Sequence, residues 1–210
     1  MTDYKPTKAH AMPTSTPDPI PYYPRYFTQP ARLLDVPSAW RGIERALASI
    51  LADFRPGPSR TGLAVEFGTD YGFSAAALSN FFDHVTTVDF FQSEGGDAQT
   101  GYRDPDQFER VAALLKDWPV SVVRADFRDW ITDYYPKVDL IHTDIVHEYQ
   151  PTYEAVRWSV DHTDLALVHD TESFPEVKRA CADVAAETGF KFYNYPEHFG
   201  LGILSKEGLR

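Results

Sequence analysis

Only one cysteine, Cys181, occurs in the 210 residues. An internal disulfide is excluded, and an unpaired thiol fits the reducing cytoplasm. Cationic residues are scarce as well: 20 Lys and Arg stand against 31 Asp and Glu, a formal charge of −11. A protein that tracks nucleic-acid phosphates or docks on anionic membranes needs a basic face, so neither partner is expected. No apolar run approaches the roughly 20 residues of a membrane span. The N-terminus lacks the charged-then-apolar layout of a secretory signal. Internal repeats and zinc-type Cys/His spacings are missing too.

What is present is enough chain for one α/β domain with a sizeable core. Half of the sixteen prolines fall in residues 1–37. Such a segment forms neither an ordinary helix nor an inner strand. Its aromatics, as in Pro21-Tyr22-Tyr23-Pro24-Arg25-Tyr26-Phe27, set it apart from a plain disordered tail. The expectation is a mobile stretch over 1–16, then an arm from Ile20 to Val36. The arm lies on the domain or on a second subunit, where it would make a homo-oligomer. Residues 38–210 form the domain proper.

That domain is organised around residues 62–91, GLAVEFGTDYGFSAAALSNFFDHVTTVDFF. Leu63–Phe67 is a short apolar run suited to a strand buried on both faces. Gly68 and Gly72 bracket a turn, and Ser74–Phe82 carries small and apolar residues at helical spacing. Val85–Val88 is a second strand, with Asp89 at its carboxyl end. This is a β-α-β unit of a doubly wound sheet, whose ligands sit outside the carboxyl ends of the strands. A pyrophosphate-binding turn reads GxGxxG. Here Gly68-Thr69-Asp70-Tyr71-Gly72 puts a carboxylate in the middle, and Glu66 adds another. Two carboxylates suit a cationic ligand end. Asp89, 21 residues after Gly68, stands where such folds hold a ribose. A ribose and a cationic amino-acid end together describe S-adenosylmethionine.

Further along, Ser38 begins a helix running to about Phe54, with Trp40, Ile43, Leu47, Ile50, Leu51 and Phe54 as its apolar stripe. Its stop is Pro56-Gly57-Pro58. The loop Phe91–Asp104 is long for an α/β connection, which points to function or mobility. A helix starts at Pro105, and strands follow at Pro119–Arg124, Val138–Thr143 and Leu165–Val168. Helices fill Pro151–Val160 and Phe174–Thr188. Phe190–Tyr193 and Gly202–Leu204 are joined by too short a link for a parallel crossover, so they pair antiparallel. Asp144 and Asp170 close consecutive strands and should face one crevice, with His147 one turn past Asp144. Converging carboxylates repel, and a divalent cation such as Mg2+ would remove the conflict. Service as helix or turn caps is the plain alternative for both acids.

The stretch Glu66-x-Gly68-x-x-x-Gly72-x-Ser74, with Asp89, resembles motif I of the class I S-adenosylmethionine-dependent methyltransferases. It looks most like the macrocin O-methyltransferase-type subgroup, over roughly residues 60–205. The resemblance implies a mostly parallel seven-stranded sheet with a final antiparallel hairpin. It implies a cofactor site built from Glu66, Gly68, Thr69, Asp70, Gly72, Ser74 and Asp89. Asp126 would accept from the adenine amino group, or else cap the turn after it. Asp144 and Asp170 match the subgroup's magnesium ligands, and His147 matches its catalytic base. His169 departs from the pattern, which has an acid there, and Asp161–Asp164 replaces a usual Gly-Gly pair. The function implied is methyl transfer to a hydroxyl of a small-molecule acceptor, a sugar or other natural product. Transfer to nitrogen or protein, and a noncatalytic S-adenosylmethionine- or nucleoside-binding module, are the alternatives. A nicotinamide oxidoreductase is disfavoured by the turn and by the hairpin.

Overall fold

The computed structural model describes residues 18–55, 62–91, 106–132 and 136–210. The proposed mobile N-terminus, the Pro-Gly-Pro stop and nearly all of the long loop after Asp89 lie outside them. One eight-stranded sheet runs through the domain. Its strands are β1 (Ile20–Pro21), β2 (Leu63–Phe67), β3 (His84–Asp89), β4 (Val120–Arg124), β5 (Leu140–Thr143), β6 (Leu165–His169), β7 (Lys191–Tyr195) and β8 (Leu201–Ser205). The order is β1-β7-β8-β6-β5-β2-β3-β4. β8 lies antiparallel between β6 and β7, and every other pairing is parallel. This is a doubly wound, mostly parallel sheet with the closing hairpin that the resemblance implies. The eighth strand is the addition: two residues of the Pro-rich arm pair with the β7 edge.

The helices cover both faces. α1 (Leu47–Phe54), α2 (Phe73–Leu78) and α3 (Gln107–Leu115) lie on one side with a 3-10 turn at Ile43–Arg45. α4 (Phe127–Ile131), α5 (Tyr149–His162) and α6 (Pro175–Thr188) lie on the other. Strand alternation sorts the side chains between them. Ala64 and Leu140 belong to the first face, and Val65, Phe67 and Ile141 to the second. By the same period of two, Glu66 and His142 turn toward the α1 side and Thr143 toward α5.

The continuous helix expected from Ser38 is a correction. Residues 38–46 form turns and the 3-10 segment, and only Leu47–Phe54 is α-helical. Gly42 breaks the run, with φ +108. A Cβ there would sit 2.0 Å from the His198 ring, so the backbone approaches too closely for a side chain. Trp40, Ile43, Leu47, Ile50 and Phe54 are still buried as one cluster. The arm is fastened to α1. The Tyr22 hydroxyl donates to Asp53 at 2.9 Å, Arg25 pairs with the same carboxylate, and the Arg25 amide donates to Ser49.

Candidate active site

The chain reverses direction across the sheet between β2 and β5, and the crevice at such a switch point is where these folds bind ligands. The turn after β2 is built by Asp89 from the neighbouring strand end. Its carboxylate accepts from the amides of Thr69 at 2.8 Å, Asp70 at 3.1 Å and Phe91 at 2.8 Å. Asp70 (φ 46), Gly68 (φ 92) and Gly72 (φ 81) take left-handed conformations around it. Gln107 of α3 donates to both the Asp70 carbonyl and its carboxylate. Ser74 follows in the first turn of α2, buried.

Glu66 has no solvent exposure. One oxygen lies 2.9 Å from His142 Nδ1, and the other accepts from the Thr87 hydroxyl at 2.6 Å. Thr87 spends its single proton on Glu66, so at 2.6 Å it accepts from the Thr69 hydroxyl. Glu66 thus reaches the turn through a buried chain of hydroxyls, not by lying on its surface. Asp126 accepts from the Arg128 amide at 2.8 Å and caps α4. Of the two roles weighed for it, capping is the one the geometry displays, and its carboxylate is left partly exposed.

Asp144, His147, His169 and Asp170 meet at the carboxyl ends of β5 and β6. His169 Nδ1 is 3.2 Å from Asp144 Oδ2 and 3.6 Å from Asp170 Oδ2. His147 Nε2 lies 2.7 Å from Asp170 Oδ2 and 3.9 Å from Asp144 Oδ1. The longer approach is beyond hydrogen-bond reach and the shorter lies off the ring N–H direction, so neither His147 nitrogen makes a directed hydrogen bond among the described residues. Its ring stacks on Phe174 at 4.0 Å, nearly parallel. One ligand atom each from Asp144, His169 and Asp170 fall within 4.8 Å of one another, a group able to hold a metal ion. Burial opposes charge on both histidines, yet the two carboxylates outweigh it. They push His147 up to about 9 and raise His169. Burial would raise Asp144, but His169 and His147 outweigh it and hold the carboxyl well below the usual range.

The two halves of the site touch. The Asp144 amide donates to the Phe67 carbonyl at 2.7 Å. A Cβ on Gly68 would fall 1.7 Å from the Asp144 carbonyl oxygen. Sequence reasoning brought together Asp144, Asp170 and His147, but it noted His169 as a departure from the resembled pattern and gave no functional part to His142. It gave Thr87 and Thr143 no role. The signal for His169 was its place beside Asp170, at a strand end where an acid was expected. His198 and Phe199 also adopt left-handed backbone beside the site, at φ 53 and 69, which composition does not announce.

The family described as a methyltransferase domain matches residues 65–170, half of the chain. A comparison with curated protein sequences finds no match. Among solved structures, a protein of Corynebacterium glutamicum is 13% identical with TM-score 0.62, over 81% of this chain and 83% of that one. A candidate caffeoyl-CoA O-methyltransferase of Staphylococcus aureus is 12% identical with TM-score 0.58, over 83% and 86%. A Podospora anserina methyltransferase bound to S-adenosylhomocysteine is 12% identical with TM-score 0.54, over 69% and 71%. Each shares the fold.

Proposed function

The chain belongs to the family of methyltransferase domains, and from that premise we propose an S-adenosylmethionine-dependent O-methyltransferase of the macrocin O-methyltransferase type. Its acceptor would be a hydroxyl on a small molecule, a sugar or other natural product. The observation that carries the reading is the gathering of Asp144, His147, His169 and Asp170 against the Asp89-organised turn. With Glu66 buried behind it, that turn keeps two acids, Asp70 and Asp89, which suit a donor with a cationic end and a ribose. Neighbours of the same fold include one bound to S-adenosylhomocysteine.

In the proposed reaction the acceptor oxygen attacks the methyl carbon in line as the carbon–sulfur bond breaks. The bonding pair passes to sulfur, and the hydroxyl proton passes to His147. Asp89 orients the donor and holds the turn in shape by accepting from its amides, while Glu66 stiffens the turn from behind through Thr87 and Thr69. The donor set Asp144, Asp170 and His169 fits a divalent cation, Mg2+ being the ion first suggested by the carboxylates. Such a cation, when bound, would ease loss of the hydroxyl proton by its positive charge. His147 accepts a proton at neutral pH only when the charge of the two carboxylates beside it is balanced, since together they otherwise keep it protonated. The arm packs on its own domain through β1, with Tyr23, Tyr26 and Phe27 exposed. Self-association through it would be a second use of that segment. Among the described residues no helix is long and apolar enough to cross a membrane. The buried free Cys181 suits the cytoplasm.

The test is transfer of a labelled methyl group to a panel of hydroxyl-bearing small molecules, with and without EDTA. Cation-dependent transfer is expected. Asp144→Asn and Asp170→Asn should abolish it while leaving S-adenosylhomocysteine binding largely intact by calorimetry. Transfer that survives exhaustive EDTA treatment would remove the metal from the reading. A folded protein with no affinity for S-adenosylhomocysteine would overturn the donor assignment.

A further inference from the structure

We propose that His169 makes this a mixed nitrogen–oxygen cation site that selects a first-row transition ion over Mg2+. The inference rests on the cation reading above and deepens it. His169 has no side-chain exposure. Its Nε2 lies 3.1 Å from the backbone carbonyl of His198. A carbonyl only accepts, so Nε2 carries a proton, and Nδ1 is the nitrogen turned to Asp144 and Asp170. Donation of the far ring N–H to a carbonyl is the usual way a metal-binding imidazole is oriented. The carbonyl is itself held firmly. The Phe199 carbonyl accepts from the amides of Glu172 and Ser173, and the Gly200 amide closes onto the Glu197 carbonyl. A Cβ on Gly200 would fall 2.4 Å from the Glu172 amide nitrogen, so this loop has little freedom to drift.

With a proton on Nε2, Nδ1 can hydrogen-bond Asp144 at 3.2 Å only if it carries a second proton, and a neutral His169 would instead aim a lone pair at two carboxylates, which is repulsive. The Nδ1 distances to Asp144 and Asp170 are 3.2 and 3.6 Å, and the three donor atoms lie within 4.8 Å of one another, close enough for a small inward shift to bring them to donor–donor spacing around an ion. Bonds of about 2.1 Å give edges of roughly 3.0 Å in an octahedron and 3.4 Å in a tetrahedron. A separate observation lies beside this cluster, on the α5 side of the strand end. The Thr143 hydroxyl is 2% exposed and makes no hydrogen bond among the described residues. It lines a small cavity bounded by Ile145, Val168 and Val177 as well as by Asp144, His147 and His169. Buried hydroxyls are nearly always satisfied, so an orphan beside the cluster marks an unfilled polar position.

The choice of ion follows from the donors. Mg2+ binds oxygen, holds its waters tightly and gains little from imidazole. Fe2+, Co2+ and Zn2+ take imidazole well, and their affinities rise in the Irving–Williams order. Replacing the acid expected at position 169 by histidine therefore costs Mg2+ affinity and favours the transition ions.

The experiment is calorimetric titration of tag-free, EDTA-stripped full chain with CoCl2 and separately with MgCl2, with S-adenosylhomocysteine titrated as a control. The Co2+ absorption spectrum is recorded as well. One Co2+ per chain should bind on the order of a hundredfold more tightly than Mg2+. His169→Asp should shrink that ratio tenfold or more and shift the Co2+ ligand-field bands. A wild-type ratio near one overturns the selectivity and leaves the cation reading standing. Binding of neither ion overturns both and means that protons alone hold the cluster. The wild-type ratio decides the matter even if the variant fails to fold.

Discussion

Replacing Gly68 by alanine should do more damage than replacing Gly72, although both sit in the same turn at positive φ. Gly68 has φ +92, and an added Cβ would fall 1.7 Å from the Asp144 backbone carbonyl and 2.6 Å from its carbon. Those atoms belong to the end of β5, which cannot move without breaking the Asp144 amide bond to Phe67. The left-handed conformation costs an L-residue about 1–2 kcal/mol. Forced displacement of packed backbone adds a further 1–3 kcal/mol or more. The sum, roughly 2–5 kcal/mol, is a large share of a stability of about 5–15 kcal/mol. At about 2–4 °C per kcal/mol, Gly68→Ala should lower Tm by roughly 4–20 °C. At Gly72 (φ +81) the Cβ would meet the Leu115 side chain at 2.9 Å, a flexible end that can turn aside. There the cost should stay near the conformational term, about 1–2 kcal/mol. Thermal melts give the ranking, and calorimetry with S-adenosylhomocysteine gives the functional side, where Gly68→Ala should lose at least about tenfold in affinity. A Gly68→Ala protein that melts within about 2 °C of wild type and binds normally would refute the claim that turn and β5 end are one rigid unit.

Asp89→Ala removes the acceptor of three backbone amides as well as the expected ribose partner. It should weaken S-adenosylhomocysteine by about one to two orders of magnitude and lower Tm too; unchanged affinity in a folded variant would end the assignment. His147→Ala should cut kcat by about 10²–10⁴ with little change in donor affinity, and a wild-type kcat where chemistry limits the rate would exclude it as base. In the cation-free protein, His147 is pushed up to about 9 when folded and returns to about 6.5 when unfolded. Its contribution is fully present below pH ~6.5 and is lost as pH rises through ~9, on the order of 3 kcal/mol in all. EDTA-treated wild type should therefore lose more Tm than His147→Gln over that window, and parallel curves would contradict it. Tyr22→Phe strips a buried hydroxyl from Asp53 and should cost about 1–2 kcal/mol, read as a lower urea midpoint.

Seven of the eight strands were legible because each is a short apolar run between turn residues, whereas β1 is only Ile20–Pro21 of the arm and carries no such pattern. β2 is found at Leu63–Phe67, as the pattern of that run requires. The short link between the last two strands correctly forced an antiparallel pair. The helix from Ser38 was misread because its apolar stripe persists through a stretch that is not helical. Periodicity records which side chains are buried, and Trp40 and Ile43 are buried whether the backbone is α or 3-10. The helix is broken at Gly42, whose φ of +108 is not helical and whose missing side chain leaves room for the His198 ring, a partner far away in sequence.

The site was legible to the extent that it follows from strand ends. Asp89, Asp144 and Asp170 each close a parallel strand, and the fold alone sends them to one edge of the sheet. Their partners were hidden because they depend on which face a strand residue takes and on what lies beside it in register. Glu66 stands opposite His142 and Thr87. A carboxylate with both neighbours able to bond it is satisfied within the sheet and has no need of the crevice. His169 is the reverse case. Its strand ends one residue before the left-handed turn at Asp170, and its ring is pinned from behind by a loop after β7. That leaves one nitrogen facing two acids. A histidine in that position is committed to a proton or to a cation, and the same geometry decides whether His147 beside it can accept a proton. The residue that departs from the resembled motif therefore governs the chemistry assigned to the residue that matches it.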